Sequence, residues 1–90
     1  PARLSTGCGE AGFAINRRKR AVAPVDHAVQ VVRVAAPDGA VRAVLFQYAC
    51  HCTTLTAGNR LINGDYAGFA MLDVEAAYPG ALFVQGCAAD

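Results

Sequence analysis

Two apolar runs rich in β-branched residues flank Pro37-Asp38-Gly39, and this pattern constrains the fold more than any other feature of the sequence. The first run lies in VDHAVQVVRVAA and the second in AVRAVLFQYACH. Proline presets φ, aspartate hydrogen-bonds the nearby backbone and glycine accepts positive φ, so the three residues favour a tight turn. The sequence therefore predicts a β-hairpin of two antiparallel strands.

The second strand of this hairpin is apolar on both faces, because its alternating side chains are mostly hydrophobic on either side. One face would carry Val41, Ala43, Leu45, Gln47, Ala49 and His51, and the other Arg42, Val44, Phe46, Tyr48 and Cys50. A strand covered on both sides lies inside a layered structure, and 90 residues are too few to supply both covering layers. We expect an α/β fold, a layered α+β sandwich, with residues 1–90 as one incomplete domain of a larger protein.

The remaining elements follow from local patterns. FAIN reads as a short strand between two loops, and ALFVQG reads as a short buried strand. Between them a helix is predicted from about Tyr66 to Tyr78, with Asp65 as N-cap and Pro79-Gly80 as the stop signal. Only Asp73 and Glu75 are charged in this helix, so most of its circumference is expected to be buried. The predicted order is β-β-β-α-β.

Charge argues against a nucleic-acid partner. Eight Lys and Arg against seven Asp and Glu leave a net charge of +1, which supplies no broad attractive field. The basic run Arg17 to Arg20 lacks interleaved aromatic residues, so a solvated loop is the preferred interpretation. No apolar run approaches the roughly 20 residues of a membrane-spanning helix, and the N-terminus lacks a signal-peptide pattern. The cellular compartment stays open.

The four cysteines do not match the spacing of a four-ligand zinc site. Cys50 and Cys52 are one residue apart, and a disulfide between them on a strand would be strained. Both are interpreted as small buried hydrophobic residues.

His51, in YACHCTTL, is the residue that most invites a functional interpretation. It follows a strand where a loop begins, which is where α/β enzymes build sites, and imidazole is the commonest zinc ligand. On the residues alone a hydrogen-bonded structural histidine is the stronger interpretation. Similarly, the N-cap role is a sufficient explanation for Asp65. Asp90 follows the last strand, and no partner can be named for it. The NRR segment offers a guanidinium that could bind an oxyanion.

The order of five segments, however, resembles the N-terminal catalytic domain of the neutral/alkaline, non-lysosomal ceramidase family. These segments are FAINRR, VDHAVQVVRV, DGAVRAVLFQYACHCTTL, INGDYAGFA and PGALFVQGCAAD, and the resemblance covers the chain from Gly12 to Asp90. They match an Asn-Arg pair, a Val-Asp opening to a hairpin, an Ala-x-His-x-Thr stretch, a Gly-Asp helix start and a Gly-x-x-x-Asp after the last strand.

The resemblance implies a zinc amidase that cleaves the N-acyl bond of ceramide or a related lipid amide, with zinc activating a water and polarising the carbonyl. It implies His51 as one metal ligand of a shell of two histidines, a glutamate and a tyrosine. It implies Arg17 as a catalytic residue near the oxyanion, with the adjacent Arg18 as the alternative. Asp65 matches the helix-start aspartate, for which a structural role suffices.

Some family features are missing or altered. Cys52 and His27 stand where relatives often carry proline, and the upstream His-x-His and the downstream serine, glutamate and tyrosine lie outside these residues. We therefore expect the piece alone to be inactive and to need the rest of its parent chain. A secreted, periplasmic or membrane-surface location is suggested by the resemblance only. The alternative hypothesis is a non-catalytic domain of the same fold that binds a lipid or glycan.

Overall fold

The computed structural model describes residues 1–18 and 24–88. Within these ranges the chain forms β1 (Arg3–Glu10), β2 (Ala28–Ala35), β3 (Val41–Tyr48), α1 (Asp65–Glu75) and β4 (Ala81–Gln85). The predicted α/β class and the order β-β-β-α-β are confirmed. Lys19 and Arg20 of the basic run, and Asp90, lie outside the described residues.

The four strands form one mixed sheet in the order β1-β2-β3-β4. β1 pairs with β2 and β2 with β3 in antiparallel fashion, whereas β3 and β4 are parallel. Parallel neighbours need a crossover connection, and α1 lies within the one between β3 and β4. The ends of β3 and β4 consequently lie on the same edge of the sheet.

The hairpin between β2 and β3 is confirmed. The N–H of Gly39 donates to the carbonyl of Ala36 at 2.9 Å, and the N–H of Ala40 donates to the Asp38 carboxylate at 3.0 Å. Gly39 has a φ of 91°, a conformation that glycine adopts without steric strain. The turn therefore uses Asp38 and Gly39 as the sequence predicts.

The first strand lies elsewhere than predicted. FAIN is irregular, whereas RLSTGCGE, which we expected to be a loop, forms β1. β1 pairs with β2 along its whole length, from Arg3 opposite Ala35 to Glu10 opposite Ala28. The prediction was wrong because long-range pairing with β2 outweighs the low strand propensity of a segment rich in glycine and small residues.

The helix has nearly the predicted extent, but Asp65 is not its N-cap. Gly64 occupies that position without a side-chain capping bond, and Asp65 is the first helical residue. After the helix, Gly80 adopts a φ of 104°, in agreement with the predicted stop at Pro79-Gly80. The side chain of Asp65 is directed instead to an earlier loop.

The aromatic residues pack on the face of the sheet that carries α1. Tyr66 of α1 meets Phe83 of β4 with ring centroids 5.6 Å apart and Tyr48 of β3 at 6.1 Å. Phe46 and Phe83, opposite each other in the register, are 5.5 Å apart. These edge-to-face contacts anchor the start of α1 on the sheet.

Two expectations of extensive burial were wrong for this chain. In β4 only Ala81 is buried, while Leu82 and Val84 on the opposite face are 56% and 48% exposed. In α1, Phe69 and Leu72 are 55% and 63% exposed. Within the described residues nothing covers these apolar positions, because the chain supplies a helix to one face of the sheet only.

Among the residues that the structure describes, no helix is long and apolar enough to cross a membrane.

Candidate functional site

A cavity of about 650 Å³ opens where the loops after β1 and β3 meet the start of α1. Both residues singled out for chemistry, Arg17 and His51, line it. The two are far apart in sequence, and the fold brings their loops to one edge of the sheet. The volume of the cavity is in the range typical of small-molecule sites.

His51 lies in the loop beyond β3 rather than on the strand. β3 ends at Tyr48, so the strand alternation used to assign faces to Cys50 and His51 does not extend to them. His51 is exposed at the cavity, and its carbonyl accepts the N–H of Thr53 at 2.8 Å. The imidazole thus belongs to a turn that presents it to the cavity.

Arg17 also lines the cavity, in the loop after β1. Its neighbour Arg18 is not among the lining residues, although its N–H donates to the Asn16 side chain at 2.9 Å. The Asn16 side chain also donates to the carbonyl of Pro24 at 3.3 Å, which holds these two residues together. Sequence reasoning used Asn16 only as a motif partner and missed this contribution to the loop.

Tyr48 connects the end of β3 to the loop that carries Arg17. Its hydroxyl donates to the carbonyl of Ala11 and accepts the N–H of Ala14 at 3.1 Å. Its side chain is only 2% exposed, and the ring of Phe13 packs 4.9 Å from it. One buried side chain therefore positions the start of the loop that carries Arg17.

The peptide that leads into His51 is held by two side chains. The Tyr66 hydroxyl donates to the carbonyl of Cys50 at 2.6 Å, and the Gln85 amide donates to the same carbonyl at 2.9 Å. Burial raises the pKa of Tyr66, and the neighbouring Cys52 and Cys50 raise it further. The hydroxyl accordingly stays protonated and able to donate at neutral pH.

Asp65, the residue before Tyr66, holds the backbone that follows His51. Its carboxylate accepts the Thr54 hydroxyl at 2.5 Å, the Thr54 N–H at 3.2 Å and the Leu55 N–H at 3.0 Å. The N–H of Tyr66 donates to it as well, at 2.7 Å. Burial alone would raise the pKa of Asp65, but these hydrogen bonds outweigh it and lower the pKa to about 2. Asp65 is therefore an ionised structural acceptor at neutral pH.

The cysteines of the described chain are free thiols. Cys50 is half-buried, whereas Cys52 is exposed, so the expectation that both are buried was wrong for Cys52. Because β3 ends at Tyr48, Cys52 falls in the exposed loop. Burial raises the pKa of the Cys50 thiol, and nearby Cys52 and Asp65 raise it further, which disfavours the thiolate form that binds metals.

The side chains that could bind a metal ion limit what kind of metal site this chain can form. Among residues 1–18 and 24–88 no group of three His, Cys, Asp or Glu side chains could hold a metal ion. His51 offers one imidazole at an open cavity, which suits a single position in a shell of several ligands. These residues alone do not fit a complete zinc site, so its other ligands would have to come from outside them.

Comparison with solved structures relates this geometry to known proteins. The chain superposes on a ceramidase complexed with C2 with a TM-score of 0.74 and 26% identity, and on the neutral ceramidase from Pseudomonas aeruginosa with a TM-score of 0.73 and 26% identity. Each match covers 94% of this chain and 16% of that chain. The fold is therefore that of a segment of a neutral ceramidase. No protein-family model matches the sequence, and no curated protein matches it.

Proposed function

We propose that this chain is part of a ceramidase-like hydrolase that cleaves the N-acyl bond of a lipid amide such as ceramide, with zinc as cofactor. In this proposal His51 is one zinc ligand and Arg17 is a catalytic residue that binds the developing oxyanion. One observation carries it: His51 and Arg17 line the same cavity in a fold similar to a segment of neutral ceramidases.

The composition of the cavity wall supports an apolar substrate with a polar reacting group. Phe13, Ile15 and Val25 contribute apolar side chains to its lining, and Ile15 is 80% exposed. Arg17 and His51 supply polar groups to the same cavity. An acyl chain matches the apolar side chains, and an amide carbonyl matches the polar groups.

The roles of the two polar residues follow from their chemistry. A zinc ion bound at His51 would supply a Lewis acid that polarises the amide carbonyl and lowers the pKa of a water. Arg17 carries a permanent positive charge with several donors, which stabilises an oxyanion better than it stabilises a neutral carbonyl. His51 itself would orient the metal rather than transfer a proton.

The test is the zinc content of the full-length protein that carries this sequence, in wild type and in His51→Gln. His27→Gln is the matched control, because His27 is the other of the chain's two histidines and does not line the cavity. Elemental analysis measures zinc, circular dichroism confirms folding, and fatty-acid release from ceramide measures activity. We expect about one zinc per chain in wild type and in His27→Gln, with zinc and activity lost together in folded His51→Gln.

The opposite results are equally informative. Zinc that persists in folded His51→Gln would contradict the assignment of this residue. A wild-type protein that binds ceramide or a glycan without zinc and without hydrolysis would replace the proposal with the non-catalytic binding domain.

A further inference from the structure

Two adjacent residues at the start of α1 hold the chain on both sides of His51. Tyr66 bonds to the carbonyl of Cys50, immediately before the histidine, and Asp65 bonds to Thr54 and Leu55, shortly after it. We propose that Asp65 and Tyr66 are positioning residues that fix the backbone on either side of His51 and so orient its imidazole for metal binding. The proposal rests on the proposed function, in which His51 is a zinc ligand.

On the preceding side, the Cys50 carbonyl has two donors. The Tyr66 hydroxyl, on the helix, donates to this carbonyl at 2.6 Å. The side-chain amide of Gln85, the last residue of β4, donates to it at 2.9 Å. A carbonyl oxygen has two lone pairs, and these bonds use both. The peptide plane between Cys50 and His51 is thus determined by two separate elements of the fold.

On the following side, one carboxylate accepts three bonds from the loop. Both oxygens of Asp65 are used, Oδ1 by the hydroxyl and N–H of Thr54 and Oδ2 by the N–H of Leu55. An ionised carboxylate is an acceptor only, and bonds to it are stronger than those to a neutral acceptor. The loop after His51 consequently has one favoured position relative to α1.

The backbone at Asp65 is itself strained, which indicates that its position is determined by its contacts. Its φ is 52°, in the left-handed region that non-glycine residues rarely occupy. The Asn63 side chain accepts the Asp65 N–H at 2.7 Å. A Cβ on Gly64 would lie 2.8 Å from the Cα of Gly68, so the backbone that leads into Asp65 lies too close to the helix for a side chain at that position. Such strain persists only where surrounding contacts over-determine the conformation, and it concentrates at functional sites.

These two residues can act as a reference point because the helix start is packed on the sheet. The Tyr66 ring lies 5.6 Å from the ring of Phe83 and 5.1 Å from that of Phe13, so the helix start packs against β4 and against the loop after β1. Asp65 is 7% exposed. A displacement of either side chain would therefore move the His51 loop relative to the rest of the cavity.

The experiment measures the zinc dissociation constant of the full-length protein by competition with a chelator. The variants are Asp65→Asn and Tyr66→Phe, and the matched controls are Asp73→Asn and Tyr78→Phe, which make the same chemical changes at exposed positions. Asparagine turns an acceptor oxygen into an N–H₂ donor that faces a backbone N–H or the Thr54 hydroxyl. We expect Asp65→Asn to weaken zinc binding about 10- to 100-fold, as for other residues that orient metal ligands.

The expected effect of Tyr66→Phe is smaller, because Gln85 still donates to the Cys50 carbonyl. Both controls should bind zinc as wild type does. Thermal unfolding of each protein without metal shows how far each variant is destabilised, which separates positioning from stability. Asp65→Asn should lose more zinc affinity than any control variant whose melting temperature is equal or lower. If Asp65→Asn does not fold, Tyr66→Phe alone decides, with any weakening beyond that of Tyr78→Phe in support.

Wild-type zinc affinity in folded Asp65→Asn and Tyr66→Phe would overturn the positioning role while His51→Gln still loses zinc, so the proposed function would survive. A wild-type protein that binds no zinc, or a His51→Gln variant that keeps it, would overturn both.

Discussion

The hydroxyl of Tyr66 donates to the carbonyl of Cys50 at 2.6 Å, which joins the first turn of α1 to the residue before His51. Tyr66 follows Asp65, whose carboxylate holds the loop after the histidine. The geometry of the candidate site thus depends on the first two residues of α1. Variants of residues that hold the backbone around His51 are expected to change the site through such contacts.

Arg17 and Arg18 should differ in their effect on catalysis. Only Arg17 lines the cavity, so Arg17→Ala is expected to lower kcat about 10²- to 10³-fold by removing an oxyanion donor. Arg18→Ala removes the same charge from the adjacent position and should leave kcat near wild type. Steady-state kinetics of the full-length protein on ceramide measure both. A larger loss in Arg18→Ala would exchange the two assignments.

Tyr48→Phe should destabilise the protein and loosen the loop that carries Arg17. The change removes the donor to the Ala11 carbonyl and leaves the buried N–H of Ala14 without its acceptor. Unsatisfied buried groups cost about 1–3 kcal/mol each, so we expect a loss of unfolding free energy of about this size. Tyr78→Phe, at an exposed tyrosine, is the control. Urea unfolding measures the difference, and equal stability of the two variants would show that the Tyr48 hydroxyl contributes nothing.

The Asp65 carboxylate should make stability fall in acid. Its pKa is about 2 in the folded chain, below the ordinary value of 3.8, so the unfolded state takes up the proton first as the pH falls. The stabilisation is therefore complete above about pH 5 and is lost as the pH falls from about 4 towards 2.

The measurement is the melting temperature of wild type and Asp65→Asn between pH 6 and pH 2. The gap between them should narrow as the pH falls, because asparagine has no charge to lose. Parallel curves would show that Asp65 does not contribute a pH-dependent term.

The residue pattern was sufficient for the hairpin, the helix and the last strand because each depends on short-range signals. Alternating β-branched residues around Pro37-Asp38-Gly39 specify the hairpin, and the helix ends near Pro79-Gly80 as predicted. β1 could not be predicted in this way, since its glycine-rich sequence forms a strand only by pairing with β2. The role of Asp65 was missed because an acid before a helix suggests a cap, whereas its actual partners lie ten and eleven residues earlier.

The sequence by itself determined the local elements and, through the order of its motifs, the resemblance to neutral ceramidases that the structural comparison supports. It also singled out His51 and Arg17. Only the tertiary structure decided that these two residues share a cavity, that Tyr48 positions the loop before Arg17, and that Asp65 and Tyr66 hold the chain around His51. The physical reason is that such contacts join residues distant in the chain, and local propensity carries no information about which distant groups meet.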